Sequence, residues 1–216
     1  PAAAVDFEVR ITNLTNGIYF TPFLAVAHPD GSALFEAGQP ASASLQAMAE
    51  GGDIAGLAAD VAGLGATVVE NPAGGLLAPA TSVTFNMNTD GTTNTLLSAV
   101  AMLLPTNDGF AGLNAITIPT EPGTYTYNVN AYDAGTEAND EILNGAGAPG
   151  MPGMPADPGG LAGTGGTGAA TTDANTTVHI HRGALGDTDA GAGASDLDSR
   201  VHRWLNPVIR VTITVN

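Results

Sequence analysis

The residues best equipped for chemistry in this chain are carboxylates and imidazoles that sit where apolar runs give way to loops. Thr106, Asn107 and Asp108 close one apolar run, and Asp133, Ala134, Gly135, Thr136 and Glu137 close another. Oxygen-rich loops of this kind suit a hard divalent cation such as calcium, which takes six to eight oxygens at about 2.3–2.6 Å. Gly135 lets the backbone turn sharply enough for Asp133 and Glu137 to converge. Asn139, Asp140 and Glu141 follow directly, and Asp140 is the best candidate for an extra ligand. A single loop acid is usually a solvated turn former. Two loops carrying several acids make the stronger case.

The histidines are the second group. His179 and His181 stand two apart in a strand-like run and so share a face. His202 precedes Trp204 and the last strand, and His28 ends an early apolar run. Converging imidazoles would suit copper or zinc. No spacing as specific as His-Glu-x-x-His occurs, so hydrogen-bonded packing is an equal reading. Trp204, the sole tryptophan, reads as a core anchor. Asp187, Asp189, Asp196 and Asp198 lie in a Gly- and Ala-rich stretch without ligand spacing, and read as solvated loop rather than a second, weak ion site.

Catalytic machinery is hard to assemble. Cysteine and lysine are both absent, which removes thiolate nucleophiles, Schiff-base chemistry and the phosphate-binding P-loop. There is no Gly-x-Ser-x-Gly elbow, and nothing points to a Ser, His and Asp triad. The expectation is a protein that is not an enzyme.

Charge narrows the partners. Five basic residues stand against 21 acidic ones, a net charge of -16. Such a surface repels phosphate backbones and anionic lipid, so neither nucleic acid nor membrane insertion is expected. No apolar run reaches the ~18 residues that cross a bilayer. The small residues at 1–4 read as what remains after removal of a secretory signal, and an exported chain without cysteine fits a bacterial source better than an animal one.

The scaffold is read from periodicity. Val5, Phe7, Val9 and Ile11 alternate with polar residues, as a strand with one face on a core does. A second strand-like run over 18–28 is interrupted by Pro22. Residues 42–64 form the one helical stretch, an insertion in which Ser42 caps a first helix, Leu45, Met48 and Ala49 share its face, and Gly51 and Gly52 end it before a second. Strands are expected over 67–69, 82–87, 115–118, 124–132, 177–182 and 208–215. The apolar run 96–104 is a buried strand or a helix by periodicity alone. Residues 145–172, rich in Gly, Ala, Pro and Thr, read as a long loop excursion over the surface. About eight short strands between turn signals argue for an antiparallel sandwich.

Five phrases together resemble the spondin N-terminal domain family, in particular its bacterial members. They are Ile-Thr-Asn-Leu-Thr at 11–15, Leu-Phe-Glu-Ala-Gly at 34–38 with Pro-Ala-Ser at 40–42, Met-Leu-Leu-Pro-Thr-Asn-Asp-Gly-Phe at 102–110, Ala-Tyr-Asp-Ala-Gly-Thr-Glu at 131–137, and Asn-Pro-Val-Ile-Arg-Val-Thr at 206–212. The resemblance implies an all-β, antiparallel C2-like β-sandwich, one domain over 1–216, with 96–104 as a strand. It implies calcium held between loops at one end, with Asp108, Asp133 and Glu137 as side-chain ligands. The chain departs from the family in lacking cysteine and in carrying Glu137 where Asp is usual, which lengthens the reach to the ion. The resulting expectation is a secreted, periplasmic or cell-surface calcium-binding module with an extracellular adhesion partner or a role in self-assembly. The alternatives are a copper- or zinc-binding protein using His179, His181, His202 and His28, and a structural subunit of a surface layer or filament.

Overall fold

A computed structural model describes residues 4–89, 91, 93–172 and 175–216. Among the described residues, eleven strands and two helices run in the order β1 (Asp6–Asn13), β2 (Tyr19–Phe20), β3 (Leu24–His28), α1 (Ala43–Gly51), α2 (Ala55–Ala62), β4 (Thr67–Glu70), β5 (Ser82–Asn88), β6 (Leu96–Leu104), β7 (Gly109–Thr117), β8 (Gly123–Val129), β9 (Ala131–Asp133), β10 (His179–Ile180) and β11 (Ile209–Val215). Two antiparallel sheets face each other. One has the order β5-β1-β11-β8; the other has β10-β9-β7-β6-β3-β4, with β2 also paired to β6. The fold is an antiparallel β-sandwich, as the periodicity and the family resemblance both predicted.

The alternation in β1 does what a period of two requires. Phe7, Val9 and Ile11 are buried between the sheets while Asp6, Glu8 and Arg10 face solvent. Ile209, Val211, Ile213 and Val215 of β11 do the same beside them. Each such side chain, fully buried, contributes about 1.5–3 kcal/mol.

The run 96–104 is a strand, and the reason for its continuous apolarity is visible. Leu97, Ala99, Ala101 and Leu103 enter the core between the sheets; Val100, Met102 and Leu104 pack beneath the helices. A strand buried on both faces has no reason to alternate. The helices themselves follow the expected caps: Ser42 Oγ accepts from the Leu45 amide at 3.1 Å, and Gly52 ends α1 in the left-handed region at φ 73°. Leu45 and Met48 of α1 and Leu57 and Val61 of α2 then cover the outer face of the larger sheet.

Several expectations shift. The run 18–28 is two strands, since Pro22 interrupts the ladder between them. The strand predicted at 115–118 starts at Gly109, because Gly109 to Leu113 is buried on both faces and gives no alternation to read. The span 124–132 is two strands that change sheets at Asn130: Val129 pairs with Ile209 in one sheet, and Ala131 with Ala111 in the other. Of 177–182, the strand is the pair His179–Ile180.

Candidate metal centre

Strand register brings the two acidic loops together. Gly109 of β7 lies opposite Asp133 of β9, so Asp108, immediately before β7, meets the turn immediately after β9. The Ala134 amide donates to the Asp108 carbonyl at 3.2 Å and pins this junction. Gly135 is at φ 70°, and a Cβ there would stand 2.7 Å from the Thr177 backbone. Glycine is the residue that fits.

Each carboxylate is oriented by donors. Asp108, fully buried, accepts through Oδ2 from the Thr136 amide (2.8 Å), the Thr136 hydroxyl (3.2 Å) and the Glu137 amide (3.3 Å). Asp133, equally buried, accepts from the Gly135 amide (2.8 Å) and from Asn139 Nδ2 (2.7 Å). Glu137 Oε2 accepts from the Gly153 amide (2.9 Å) and Asn107 Nδ2 (3.2 Å). Asp140 Oδ1 accepts from the same Asn107 Nδ2 (2.8 Å) and from the Ile142 amide (3.0 Å). Asn107 therefore spans Glu137 and Asp140, and Asn139 steadies Asp133. Neither amide stands out in the sequence. Asn139 acts within its own loop, six residues from Asp133, whereas Asn107 reaches acids 30 and 33 residues away, which no local pattern announces.

Two oxygens are left over. Asp108 Oδ1 and Glu137 Oε1 are buried with no hydrogen-bond partner, and among the described residues they are the carboxylate oxygens in that condition. An unpaired buried carboxylate oxygen is costly, and native structures resolve the cost with a water, an ion or a proton. Acidity responds accordingly. Burial, then the charge of Asp133, pushes Asp108 up to about 7, and burial pushes Glu137 up to about 7 despite the donors from Gly153 and Asn107. The donor set is all oxygen, carboxylate-rich and loop-borne, which fits calcium. The side chains are not closed around a point, however: among the described residues, no group of three or more His, Cys, Asp or Glu is gathered to hold a metal ion as it stands.

The remaining loop acids are used differently. Asp187 accepts from the Asp189, Ala194 and Ser195 amides, and Asp196 accepts from the Leu143 and Gly166 amides. Asp198 pairs with Arg200 at 2.6 Å. Asp187 and Asp198 thus organise their own turns, whereas Asp196 ties its loop to two distant segments.

The histidines do not form one cluster. His28 is buried beneath the loop that follows β3, with Nε2 2.8 Å from Ser98 Oγ and Nδ1 3.0 Å from Ser32 Oγ. His181 Nδ1 accepts from the Gly183 amide at 3.0 Å, and His202 Nδ1 accepts from the Asp198 amide at 3.0 Å. With Nδ1 accepting, the neutral ring carries its proton on Nε2. Both Nε2 atoms are buried without a hydrogen-bond partner; that of His202 lies 3.8 Å from Asp157 Oδ2. In that tautomer they present donors, not lone pairs, to a metal. Burial holds His181 neutral, down to about 4. Trp204 Nε1 is likewise buried without a partner, and its ring lies 5.0 Å from that of His181. Both residues line a cavity of about 10 Å³ beside Asn107, Asn139 and Glu141, room for about one water. His179 differs: Nδ1 donates to the Thr177 carbonyl (2.8 Å), and Nε2 lies 3.6 Å from Asp133 Oδ2 at the edge of the acidic loops.

Comparison with known proteins bears on this arrangement. The Spondin_N family model matches residues 12–142, a span that runs from β1 through both acidic loops and stops just after Asp140 and Glu141. A search of curated proteins gave no match.

Proposed function

The chain belongs to the spondin N-terminal domain family, and from that premise we propose that it is a calcium-stabilised β-sandwich serving outside the cytoplasm as a binding or assembly module rather than as an enzyme. The family consists of typically extracellular, adhesion-type modules. Among the described residues, no helix is long and apolar enough to cross a membrane.

One observation carries the calcium reading: the unpartnered, buried Asp108 Oδ1 and Glu137 Oε1 on two loops that converge. A hard cation there would supply the positive charge that lets these neighbouring carboxylates ionise together. Asp108 and Glu137 would hold it directly, with Asp133 and Asp140 as the adjacent acids. The rest of the chain does the orienting. Thr136 and the Glu137 amide fix Asp108, Asn107 and Gly153 fix Glu137, and Asn139 and Gly135 fix Asp133. Ligands held this way lose little freedom when the ion arrives.

Calorimetric titration of exhaustively chelated protein is the test. Calcium is expected to bind stoichiometrically and to raise the melting temperature, because a ligand specific to the folded form stabilises it by mass action. Asp108→Asn and Glu137→Gln are expected to weaken binding by at least about tenfold, each removing a charged ligand. A melting curve unmoved by chelation and by calcium would sink the reading.

A further inference from the structure

The side of the molecule formed by the helical insertion carries a second feature, unrelated to the acidic loops. A cleft of about 620 Å³ lies between the loop after β3 and the helices, within the size range of binding sites. Leu34, Phe35, Leu45, Leu57 and Val61, all largely buried, form its floor, Ser32, Gln39 and Ser42 stand among them, and Leu64, half exposed, is at its lip. The ionisable groups lining it are Asp30, Glu36 and Asp60, all exposed carboxylates.

No compensating cation is near in sequence. The five basic residues are Arg10, Arg182, Arg200, Arg203 and Arg210, so residues 11–181 contain neither Arg nor Lys. Arg10 and Arg210 lie on the smaller sheet, which is the opposite layer of the sandwich. The cleft therefore combines an apolar floor with a negative rim, and no cation is among the residues that line it. A second copy of this chain, with net charge -16, is a poor occupant, since like charge would face like charge. An occupant of opposite charge is drawn in by the same field.

We propose that this cleft docks an amphipathic cationic segment of a partner protein, with Leu- or Phe-type side chains on the floor and Lys or Arg against Asp30, Glu36 and Asp60. The proposal rests on reading the chain as a binding module but not on the calcium ion.

The probe is a fluorescein-labelled peptide of repeated Leu-Lys-Lys-Leu, followed by anisotropy at ~0.15 M salt, where charges beyond about 8 Å are screened. Binding is expected to saturate in calcium and in chelator alike. The triple variant Asp30→Asn, Glu36→Gln, Asp60→Asn should weaken it at least about tenfold. Ala33→Trp, which places bulk in the cleft from an exposed wall position, should weaken it similarly. A control triple at exposed acids elsewhere, Glu8→Gln, Glu70→Gln, Glu121→Gln, should change it less than about twofold. Amide exchange of the complex should show protection over residues 30–64. Equal losses in both triples would reduce the effect to general charge attraction and overturn the proposal, as would binding that never saturates or protection confined elsewhere. Self-association abolished by the cleft variants would assign the cleft to a second copy and overturn it too. Failure of calcium binding with cleft binding intact would remove the ion reading alone; the converse would remove the docking site alone.

Discussion

Asp108 is held by three donors on one oxygen and by none on the other, and that asymmetry sets how the protein should respond to pH. In an unfolded chain its carboxyl titrates near 4, and so does that of Glu137. In the folded, metal-free protein both titrate at about 7. Between those limits the folded form keeps protons that the unfolded form has released, so their stabilising contribution is full at low pH and is lost as pH rises through about 7. His181 acts in the opposite sense: neutral when folded down to about 4, it favours the fold above about 6.5 and loses that contribution as pH falls. The two carboxyls outweigh the one imidazole. The melting temperature of chelated protein should therefore fall between about pH 5.5 and 8, and Asp108→Asn should flatten the fall. Calcium should add most at the alkaline end. A chelated protein whose melting temperature rises over that interval would contradict the proton assignment.

At the scale of elements, β1 shows how a single polar side chain can govern a strand's exit. Asn13 is buried at the end of the strand; its Nδ2 donates to the Ile18 carbonyl (2.8 Å) and the Leu77 carbonyl (3.2 Å), and its Oδ1 accepts from the Thr15 amide (2.9 Å) and hydroxyl (2.7 Å). It thus ties β1, the following turn and the segment ahead of β5. Asn13→Ala would leave the buried Thr15 amide without its acceptor and remove one of two donors from each of the Ile18 and Leu77 carbonyls, which keep the Thr15 hydroxyl and the Phe20 amide, at a cost of roughly 1–3 kcal/mol. Urea denaturation measures it, and a loss under about 0.5 kcal/mol, the level of an ordinary surface change, would show that water replaces the amide freely. The sequence marks this region as a turn. It does not mark Asn13 as the hub, because one of its side-chain partners, the Leu77 carbonyl, lies 64 residues away.

Across the whole molecule, acids tether the low-complexity excursion that composition reads as a loop over the surface. Glu50, buried in α1, accepts from the Gly150 amide at 2.6 Å, Glu137 from that of Gly153, and Asp196 from that of Gly166. Met154 is completely buried, and its amide donates to the Ile142 carbonyl at 2.7 Å. Side-chain carboxyl acceptors thus substitute for the core that Gly and Ala cannot build. Glu50→Ala should speed exchange of the Gly150 amide at least about tenfold while leaving that of Gly166 unchanged, a difference of about 1.4 kcal/mol in local opening. Equal acceleration at both would mean the excursion opens as one unit.

What residue order determined on its own was whatever depends on neighbours in the chain. The alternation of β1 and β11, the Ser42 cap and the Gly52 stop of α1, and the turn at Gly135 all follow from local geometry and one-sided burial. The two acidic loops were legible as oxygen-rich for the same reason, and the family resemblance placed them together. Tertiary structure decided the rest. It made residues 96–104 a strand apolar on both faces, moved the chain from one sheet to the other at Asn130, and paired Gly109 with Asp133. It left one buried oxygen unpartnered on Asp108 and another on Glu137. It also turned the proton of His181 and of His202 inward by spending Nδ1 on a backbone amide. Each of these depends on which distant segment supplies a wall or a donor, and local periodicity carries no information about that.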